Sequence, residues 1–346
     1  MRPLILARGT PIAVALLLAA CSGSGTPSAT TAAASASPSA AGEAPSVSFS
    51  WPDGDQPVVT RELTGIDESF INPGAVLEHE NRLHMFANVF TAWPGRVSIP
   101  HLVSDDGVNW SVDPAEPVLT SDDIPLTSNG ADVSTGFVTD DGTWVLIFET
   151  VTTTEPWVLG QATAPDPAGP WTIDPQPILE LGPAGSWDAA GHSWPSVVRT
   201  DAGYLMFFTG LDERGANGAG SIGLATSSDG KSWVKRDEPV MTAQADWEDG
   251  SLDRPRVVSA GQGLLMVYAG RDLTKRGVAR STDGQAWQRD GDGPAITQDD
   301  FPADGRCWDA ALINRNGALT YYLEIGSASA GRGTQVYRAV AELPPG

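Results

Sequence analysis

The stretch "ATSSDGKSWVKRDEPV" (225–240) decides the fold, because altered copies of it occur elsewhere in the chain. Two copies are "LVSDDGVNWSVDPAEPV" (102–118) and "ARSTDGQAWQRDGDGPA" (279–295), and a shorter relative, "APDPAGPW", ends at Trp171. Asp-Gly favours a tight turn, because the Asp side chain binds backbone amides and Gly adopts positive φ. Copies spaced about sixty residues apart indicate a series of similar structural units rather than one catalytic motif.

Five such units follow one another from about residue 65. In each unit a strand-like run precedes the turn: "LHMFANVF", "WVLIFETV", "YLMFFTG", "LLMVYAG" and "TYYLEIG". A shorter strand precedes that run: "NPGAVL", "VSTGFVT", "HSWPSVV", "DRPRVV" and "CWDAALI". With the strands beside the turn included, each unit offers about four short strands, which is the content of one propeller blade.

The sequence therefore predicts an all-β fold, a five-bladed β-propeller of four-stranded antiparallel blades. The last unit lacks a fourth strand after "TQVYRAV". We expect the segment near "SVSFSW" or "PVVTREL", at the start of the folded part, to supply that strand and close the ring. The Asp-Gly turns and their tryptophans are predicted to be structural, since four copies cannot all lie in one pocket.

The chain is strongly acidic, with 43 Asp plus Glu against 21 Lys plus Arg and a formal net charge of −22. A surface of this sign repels phosphate backbones and anionic lipid headgroups. With 346 residues, 41% of them hydrophobic, the chain can bury a large core, and 38 Gly and 27 Pro suit many short strands. We expect a monomer that has no nucleic-acid partner.

The amino-terminal residues have the pattern of an export signal. Arg2 and Arg8 precede the apolar run "PIAVALLLAA", which stops at Cys21. "LLAAC" resembles the bacterial lipobox, whose cysteine takes a diacylglycerol before cleavage. The resemblance implies a signal peptide over 1–20 and a lipid on Cys21 that anchors an exported protein to the outer face of the cytoplasmic membrane. An ordinary signal peptide with a chance cysteine is the alternative.

Residues 21–46 are dominated by Ser, Ala, Thr, Gly and Pro, so they have too little apolar material to fold and are expected to form a flexible tether. The propeller is expected to occupy 47–346. Besides Cys21, the only cysteine is Cys307. Neither an intrachain disulfide nor a cysteine-based metal site is therefore expected, and Cys307 is predicted to be a small buried residue.

Three units, "INPGAVLEHENRLHMFAN", "WDAAGHSWPSVVRTDAGYLMFFTG" and "DRPRVVSAGQGLLMVYAG", carry a family resemblance. They resemble units of five-bladed β-propeller glycoside hydrolases, the arabinanase and xylosidase group (family 43) and the related invertases. In that group the innermost strands open with Asp-Pro or Glu-x-Pro motifs. The resemblance covers roughly 65–340. It implies a carbohydrate-active protein whose partner is an oligo- or polysaccharide.

Glycoside hydrolysis needs two carboxyl groups at the scissile bond, one that protonates the leaving oxygen and one that acts as base or nucleophile. In a propeller the starts of the innermost strands converge on the axis, so residues about sixty positions apart can line one funnel. The candidates at these starts are Asp67, Glu68, Asn72, Asp132, Asp188, His192, Trp194, Asp253, Arg254 and Asp309.

The resemblance implies that Asp253, in "DRP", is the general acid, although the family usually has glutamate there. Asn72, in "INP", stands where the family has its catalytic aspartate. Trp194, in "SWP", stands where the family has a supporting aspartate. Two of the three expected carboxylates are therefore replaced.

An amide cannot act as base, so that role is predicted to pass to Asp67 or Glu68, with Asp188 as the supporting carboxylate. Substrate contacts are predicted for the remaining funnel residues: Asn72, Asp132, Glu149, His192, Trp194, Arg254, Trp308 and Asp309. His192 could equally be a structural histidine, and each tryptophan could equally be a core residue. No cofactor is required, and the sequence shows no metal cluster, although an acidic axis can hold a cation.

Hydrolysis of glycosidic bonds is the favoured activity. The alternatives are a non-catalytic glycan-binding lipoprotein and a protein-interaction propeller without a sugar pocket. A pair of carboxylates in a deep axial funnel would favour hydrolysis. An aromatic funnel with one reachable carboxylate would favour binding, and a flat top face would favour the interaction scaffold.

Overall fold

The computed structural model describes residues 47–66, 70–127, 130–150, 156–215, 218–302, 306–326 and 333–343. The signal peptide, Cys21 and the tether predicted for residues 1–46 lie outside the described residues, as do Asp67 and Glu68. The described part consists of short strands joined by turns and four short 3-10 helices, Arg61–Thr64, Ser121–Asp123, Asp246–Glu248 and Gln298–Asp300. None of its helices is long and apolar enough to cross a membrane.

The strands form five separate antiparallel sheets, called blades 1 to 5 in chain order. Blade 1 contains β1 (Phe70–His79), β2 (Arg82–Phe90), β3 (Val97–Ile99), β4 (His101–Ser104), β5 (Ser111–Val112) and β6 (Leu119–Thr120). Blade 2 contains β7 (Ala131–Val138), β8 (Trp144–Thr150), β9 (Leu159–Ala164) and β10 (Thr172–Ile173). Blade 3 contains β11 (Gly191–Thr200), β12 (Gly203–Leu211), β13 (Gly220–Ser227) and β14 (Val234–Lys235). Blade 4 contains β15 (Leu252–Ala260), β16 (Gly263–Gly270), β17 (Arg276–Ser281) and β18 (Gln288–Arg289). Blade 5 contains β19 (Arg306–Arg315), β20 (Ala318–Gly326) and β21 (Thr334–Glu342).

Blade 1 has the same four positions as the others, although it counts six strands. Both β3 and β4 pair with β2, and they are separated only by Pro100, so they are two halves of one third strand. In the same way β5 and β6 pair with β4 and β3 and form two halves of the outermost strand. Proline has no N–H to donate to a sheet ladder, which explains why the strand is interrupted there.

The start of the folded part closes the ring, as the sequence predicts. Ser50, in "SVSFSW", and Val59, in "PVVTREL", form antiparallel bridges with Val340 and Val336 of β21. Both segments therefore pair with the edge that blade 5 leaves open. The innermost strands contact one another in the cyclic order β1, β7, β11, β15, β19 and back to β1. The five-bladed β-propeller is thus confirmed.

The Asp-Gly turns join the third and fourth strands of blades 1, 3 and 4. Asp106, Asp229 and Asp283 each accept hydrogen bonds from the backbone amides two and three positions later, at 2.8 to 3.2 Å. The glycine after each aspartate has a φ between 74° and 76°. Trp110 packs edge-on against Tyr322 of blade 5, with ring centres 5.7 Å apart. These turns are structural, as predicted, because their aspartates are committed to backbone amides.

Apolar side chains fill each of the five interfaces between neighbouring blades. At the interface of blades 1 and 2, for example, Phe86 and Leu146 are fully buried. Cys307 is buried in the cluster between blades 4 and 5, as the sequence predicts. Burial of both faces of every sheet holds the blades around the axis and positions their innermost strands there.

Candidate functional site

Every innermost strand has a β-bulge near its start. The register with the second strand shifts at Asn72/Ala75, Val133/Thr135, Ser193/Ser196, Asp253/Arg256 and Cys307/Ala310. A bulge removes residues from the ladder and re-aims their side chains. By register, Trp194, Arg254 and Trp308 occupy equivalent positions in blades 3, 4 and 5, whereas Asn72 is equivalent to Asp253 rather than to Trp194.

A cavity of about 350 Å³ opens where these bulges meet at the axis. It is lined by Phe70, Asn72, Phe90, Trp93, Asp132, Trp194, Arg254, Trp308, Asp309 and Glu324. Six of these residues, Asn72, Asp132, Trp194, Arg254, Trp308 and Asp309, are among the funnel residues expected from the sequence. We call this space the axial cavity.

One wall of the axial cavity is aromatic and comes from blade 1. Phe70 and Phe90 stack with ring centres 5.4 Å apart and planes at 11°. Trp93 lies 5.3 Å from Phe90 and is 39% exposed, which is unusual for a tryptophan. This wall can pack against the apolar face of a ligand ring, while the mouth of the axial cavity stays accessible to solvent.

Three carboxyl side chains enter the axial cavity on either side of Asn72. Asp132 comes from blade 2, and Asp309 and Glu324 come from β19 and β20 of blade 5; all three residues are 4% exposed. Asp309 Oδ1 accepts hydrogen bonds from Arg256 Nη2 at 2.6 Å and from the Ala310 amide at 2.7 Å. Asn72 Nδ2 donates to Asp132 Oδ2 at 3.3 Å. The cavity therefore holds one ion-paired carboxylate and two carboxyl groups without an ion-pair partner among the described residues.

Burial controls the protonation of the carboxyl groups that lack a cation. Burial, reinforced by the charge of Asp309, raises the pKa of Glu324 to about 8. Burial raises the pKa of Asp132 well above its usual range, and the charges of Asp309 and Glu324 act in the same direction. With a pKa of about 8, Glu324 is expected to hold a proton at neutral pH, and the raised pKa of Asp132 favours its protonated form, which is the state that a proton donor needs.

Glu149 lies directly behind this cluster. It is fully buried on β8, paired in register with Asp132, and its Oε2 accepts a hydrogen bond from the Trp194 amide. Burial, followed by the nearby charge of Asp132, raises the pKa of Glu149 well above the usual range. Its side chain supports the bulge at Trp194 and is not among the cavity-lining residues.

Asp253 lines a second cavity of about 450 Å³ beside the axial one. Its Oδ1 accepts hydrogen bonds from the Arg254 amide at 2.9 Å and from Thr209 Oγ1 at 3.1 Å. Its Oδ2 accepts one from Arg254 Nη1 at 2.8 Å. Burial raises the pKa of Asp253. The structure thus places Asp253 next to the axial cavity but not among its lining residues, whereas Trp194 lines both cavities.

Asp188 and His192 form a buried pair that lines neither of these cavities. His192 Nε2 lies 3.0 Å from Asp188 Oδ2, Lys235 donates to the same oxygen, and Ser186 Oγ donates to Oδ1 at 2.9 Å. Burial lowers the pKa of His192. Burial opposes ionisation of Asp188, but its hydrogen bonds with His192 and Lys235 hold its pKa below the usual range. Contacts of this kind are those of a structural histidine.

Sequence reasoning missed Glu324, Phe70, Phe90 and Trp93. Glu324 had a detectable signal, because "TYYLEIG" carries an acid at the end of an apolar strand, as "WVLIFE" does at Glu149. The aromatic wall had none, since phenylalanines in strands are usually core residues. Across the described residues, no group of three or more His, Cys, Asp or Glu side chains is arranged to hold a metal ion.

Solved structures of glycoside hydrolases have a similar fold. One described as a glycoside hydrolase has a TM-score of 0.64 and 17% identity over 86% of this chain and 92% of its own. A thermostable family-43 glycoside hydrolase has a TM-score of 0.61 and 14% identity over 82% and 91%. A family 117 glycoside hydrolase from Zobellia galactanivorans has a TM-score of 0.60 and 14% identity over 86% and 90%. No protein-family model and no curated protein matches the sequence. The likeness shows that this chain has the five-bladed propeller fold of glycoside hydrolases.

Proposed function

We propose that the protein hydrolyses glycosidic bonds in the axial cavity. The observation that carries this proposal is the convergence of Asp132, Asp309 and Glu324 in one aromatic-walled cavity at the propeller axis. Two of them have raised pKa values and the third is ion-paired with Arg256. Two carboxyl environments that differ in this way supply the protonated and the ionised group that glycoside hydrolysis requires.

The roles follow from the side of the cavity on which each group lies. Asp132, across Asn72 from blade 5, is proposed to protonate the leaving oxygen. Asp309 is proposed to act as base or nucleophile, because its ion pair with Arg256 suits a charged carboxylate. Glu324, the neighbour of Asp309, is proposed to hydrogen-bond a sugar hydroxyl while protonated. The aromatic wall is proposed to stack on the substrate ring.

Non-catalytic glycan binding is the second candidate, and a specific observation favours it. Asp132 Oδ1 and Asp309 Oδ2 are buried and have no hydrogen-bond partner among the described residues. In addition, Asn72 is an amide, which cannot act as a base. A cavity that only binds sugar would need the rings and the polar groups but no accessible acid and base. A protein-interaction role without a sugar pocket is less well supported, because the axis is open rather than plugged.

The test is release of reducing sugar from arabino-, xylo-, fructo- and manno-oligosaccharides by the full-length chain, with and without phosphate. Asp132→Asn, Asp309→Asn and Glu324→Gln are expected to lower kcat, the first two by at least about 100-fold, a usual contribution of acid–base catalysis. Asp140→Asn, at the exposed end of blade 2, is the matched control. Saturable binding without turnover would instead establish the binding role.

The same assay tests the roles predicted from the family resemblance. Asp253→Asn and the double variant Asp67→Asn/Glu68→Gln would abolish turnover if those residues supply the acid and the base. Under the assignment proposed above, turnover survives in both variants. Asp188→Asn is expected to act on stability rather than on kcat, because its carboxylate is bound to His192 and Lys235.

We further propose that the protein is exported and held by a lipid on Cys21, so that the glycan is met outside the cytoplasm. Only the sequence of residues 1–46 supports this. In the native host, the wild-type chain should fractionate with membranes, and its amino-terminal peptide should carry a diacylglycerol on Cys21. Cys21→Ser should release the protein from the membrane fraction, and an unlipidated, soluble wild type would contradict the proposal.

A further inference from the structure

The second cavity is lined by aromatic as well as polar side chains. Two indole rings, Trp157 and Trp194, meet there with centres 5.4 Å apart and planes at 72°, so they form a corner. Ser251, Asp253 and Arg271 supply polar groups around this corner. Aromatic faces combined with a few hydrogen-bonding groups suit a sugar ring, which has apolar C–H faces and a polar rim.

The two cavities share Trp194. The ring of Trp194 is backed by the Arg254 guanidinium, and Arg254 in turn binds the Asp253 carboxylate. A ligand that occupies both cavities must therefore pass along Trp194. A single small sugar would leave the second cavity empty, whereas a glycan that has one unit in the axial cavity could place another unit against the corner of Trp157 and Trp194.

We infer that the second cavity is a binding subsite for a further sugar unit of the same glycan, and that the protein prefers oligosaccharides to glycosides with one sugar. This inference rests on the proposed function, since it names the substrate class of that site. In this arrangement Asp253 binds hydroxyl groups of the second unit and positions Arg254, and it does not transfer the proton.

Ala190 offers a way to fill the second cavity without touching the axial one. It lines the second cavity, and its amide donates to the Leu211 carbonyl at 2.8 Å, so a larger side chain leaves the strand pairing intact. Ala190→Phe should lower the ratio of kcat/KM for a tetrasaccharide to kcat/KM for a one-sugar aryl glycoside by about tenfold, the scale of one lost aromatic contact.

Two further variants complete the test. Ala202→Phe adds the same side chain at the exposed turn after β11, the opposite end of the strand that follows Ala190, and should keep the wild-type ratio. Trp157→Ala removes one side of the corner and should lower the ratio as well. Thermal unfolding of each variant shows that it is folded.

The outcomes separate the inference from the proposed function. If Ala190→Phe and Trp157→Ala change kcat/KM equally for short and long substrates, or change it for neither, the second cavity is not a subsite. If the wild type cleaves nothing but binds oligosaccharides, the same ratio is taken from Kd values, and the hydrolytic proposal fails while the subsite is still tested. If no oligosaccharide is cleaved or bound, both are wrong.

Discussion

The Arg254 guanidinium carbon lies 3.8 Å from the centre of the Trp194 ring. The two residues occupy equivalent bulge positions in blades 4 and 3, and both have positive φ, 50° for Arg254 and 47° for Trp194. A side chain with a Cβ adopts this region at a cost, so the surrounding contacts must hold it there. The Asp253 carboxylate, 2.8 Å from Arg254 Nη1, is one such contact. Trp194 lines both the axial and the second cavity, and Arg254 lines the axial one.

The positive φ of Arg254 leads to a prediction about stability. Asn tolerates positive φ, whereas a β-branched side chain does not. Both Arg254→Asn and Arg254→Val lose the stacking on Trp194 and the ion pair with Asp253, so their difference reports mainly on the backbone. Arg254→Val should be less stable than Arg254→Asn by about 1–2 kcal/mol in urea unfolding. Equal stabilities would show that the bulge relaxes when Arg254 is replaced.

The buried pair of Arg256 and Asp309 should dominate stability near the axis. Arg256 is 2% exposed and holds Asp309 at 2.6 Å. Arg256→Met leaves an uncompensated buried carboxylate and should lower the free energy of unfolding by about 3–5 kcal/mol. The double variant Arg256→Met/Asp309→Leu, which removes both charges, should regain most of that loss.

The control for this pair is Arg199→Met, which breaks an exposed contact with Asp140. Its loss should stay below about 1 kcal/mol, because water screens surface ion pairs. A loss for Arg256→Met as small as that of the control would mean that the Asp309 carboxylate finds another partner or takes up a proton.

The raised pKa of Glu324 leads us to expect a specific pH dependence of stability. Its pKa of about 8 in the folded chain lies above the usual value of the unfolded chain, so unfolding releases a proton between pH 4.5 and about 8. This contribution to stability is complete below pH 4.5 and is lost as pH rises to about 8, at about 1.4 kcal/mol per unit.

Glu324→Gln removes that titration. Relative to the wild type, the variant should therefore gain stability as pH is raised from 5 to 8, measured by urea unfolding at both pH values. Glu342→Gln, an exposed glutamate on the neighbouring strand β21, is the matched control and should follow the wild type. A Glu324→Gln profile parallel to that of the wild type would exclude the raised pKa.

The Asp-Gly turn of blade 3 is tested at Gly230. Its φ is +74°, and an added Cβ would lie 2.7 Å from Phe137 of the preceding blade. Gly261, in the turn between β15 and β16, has a φ of +61° with nothing within 4 Å. Gly261→Ala should therefore cost only the backbone strain, about 1–2 kcal/mol.

Gly230→Ala adds a steric overlap with Phe137 and should cost about 1–3 kcal/mol more than Gly261→Ala. Thermal unfolding of both variants measures the difference. Equal losses would show that the turn can move away from the neighbouring blade.

The sequence by itself determined the repeated architecture. The Asp-Gly turns and the apolar runs are local patterns, and each encodes a strand or a turn through side-chain alternation and backbone preference. Their recurrence was enough to predict five blades, the closing role of the first segment and the structural role of Asp106. Convergence of the innermost strands also placed Asp132 and Asp309 near the axis.

Only the tertiary structure decided which side chains share a cavity. The bulges decide which way the side chains of each innermost strand point. Because the bulges are not visible as a sequence pattern, the sequence could not show that Asp253 lines the neighbouring cavity. Glu324 lines the axial cavity because it lies on β20 opposite the bulge that contains Asp309. The protonation of Asp132 and Glu324 could not be predicted from the sequence either. Their pKa values depend on burial and on charges brought together from different blades.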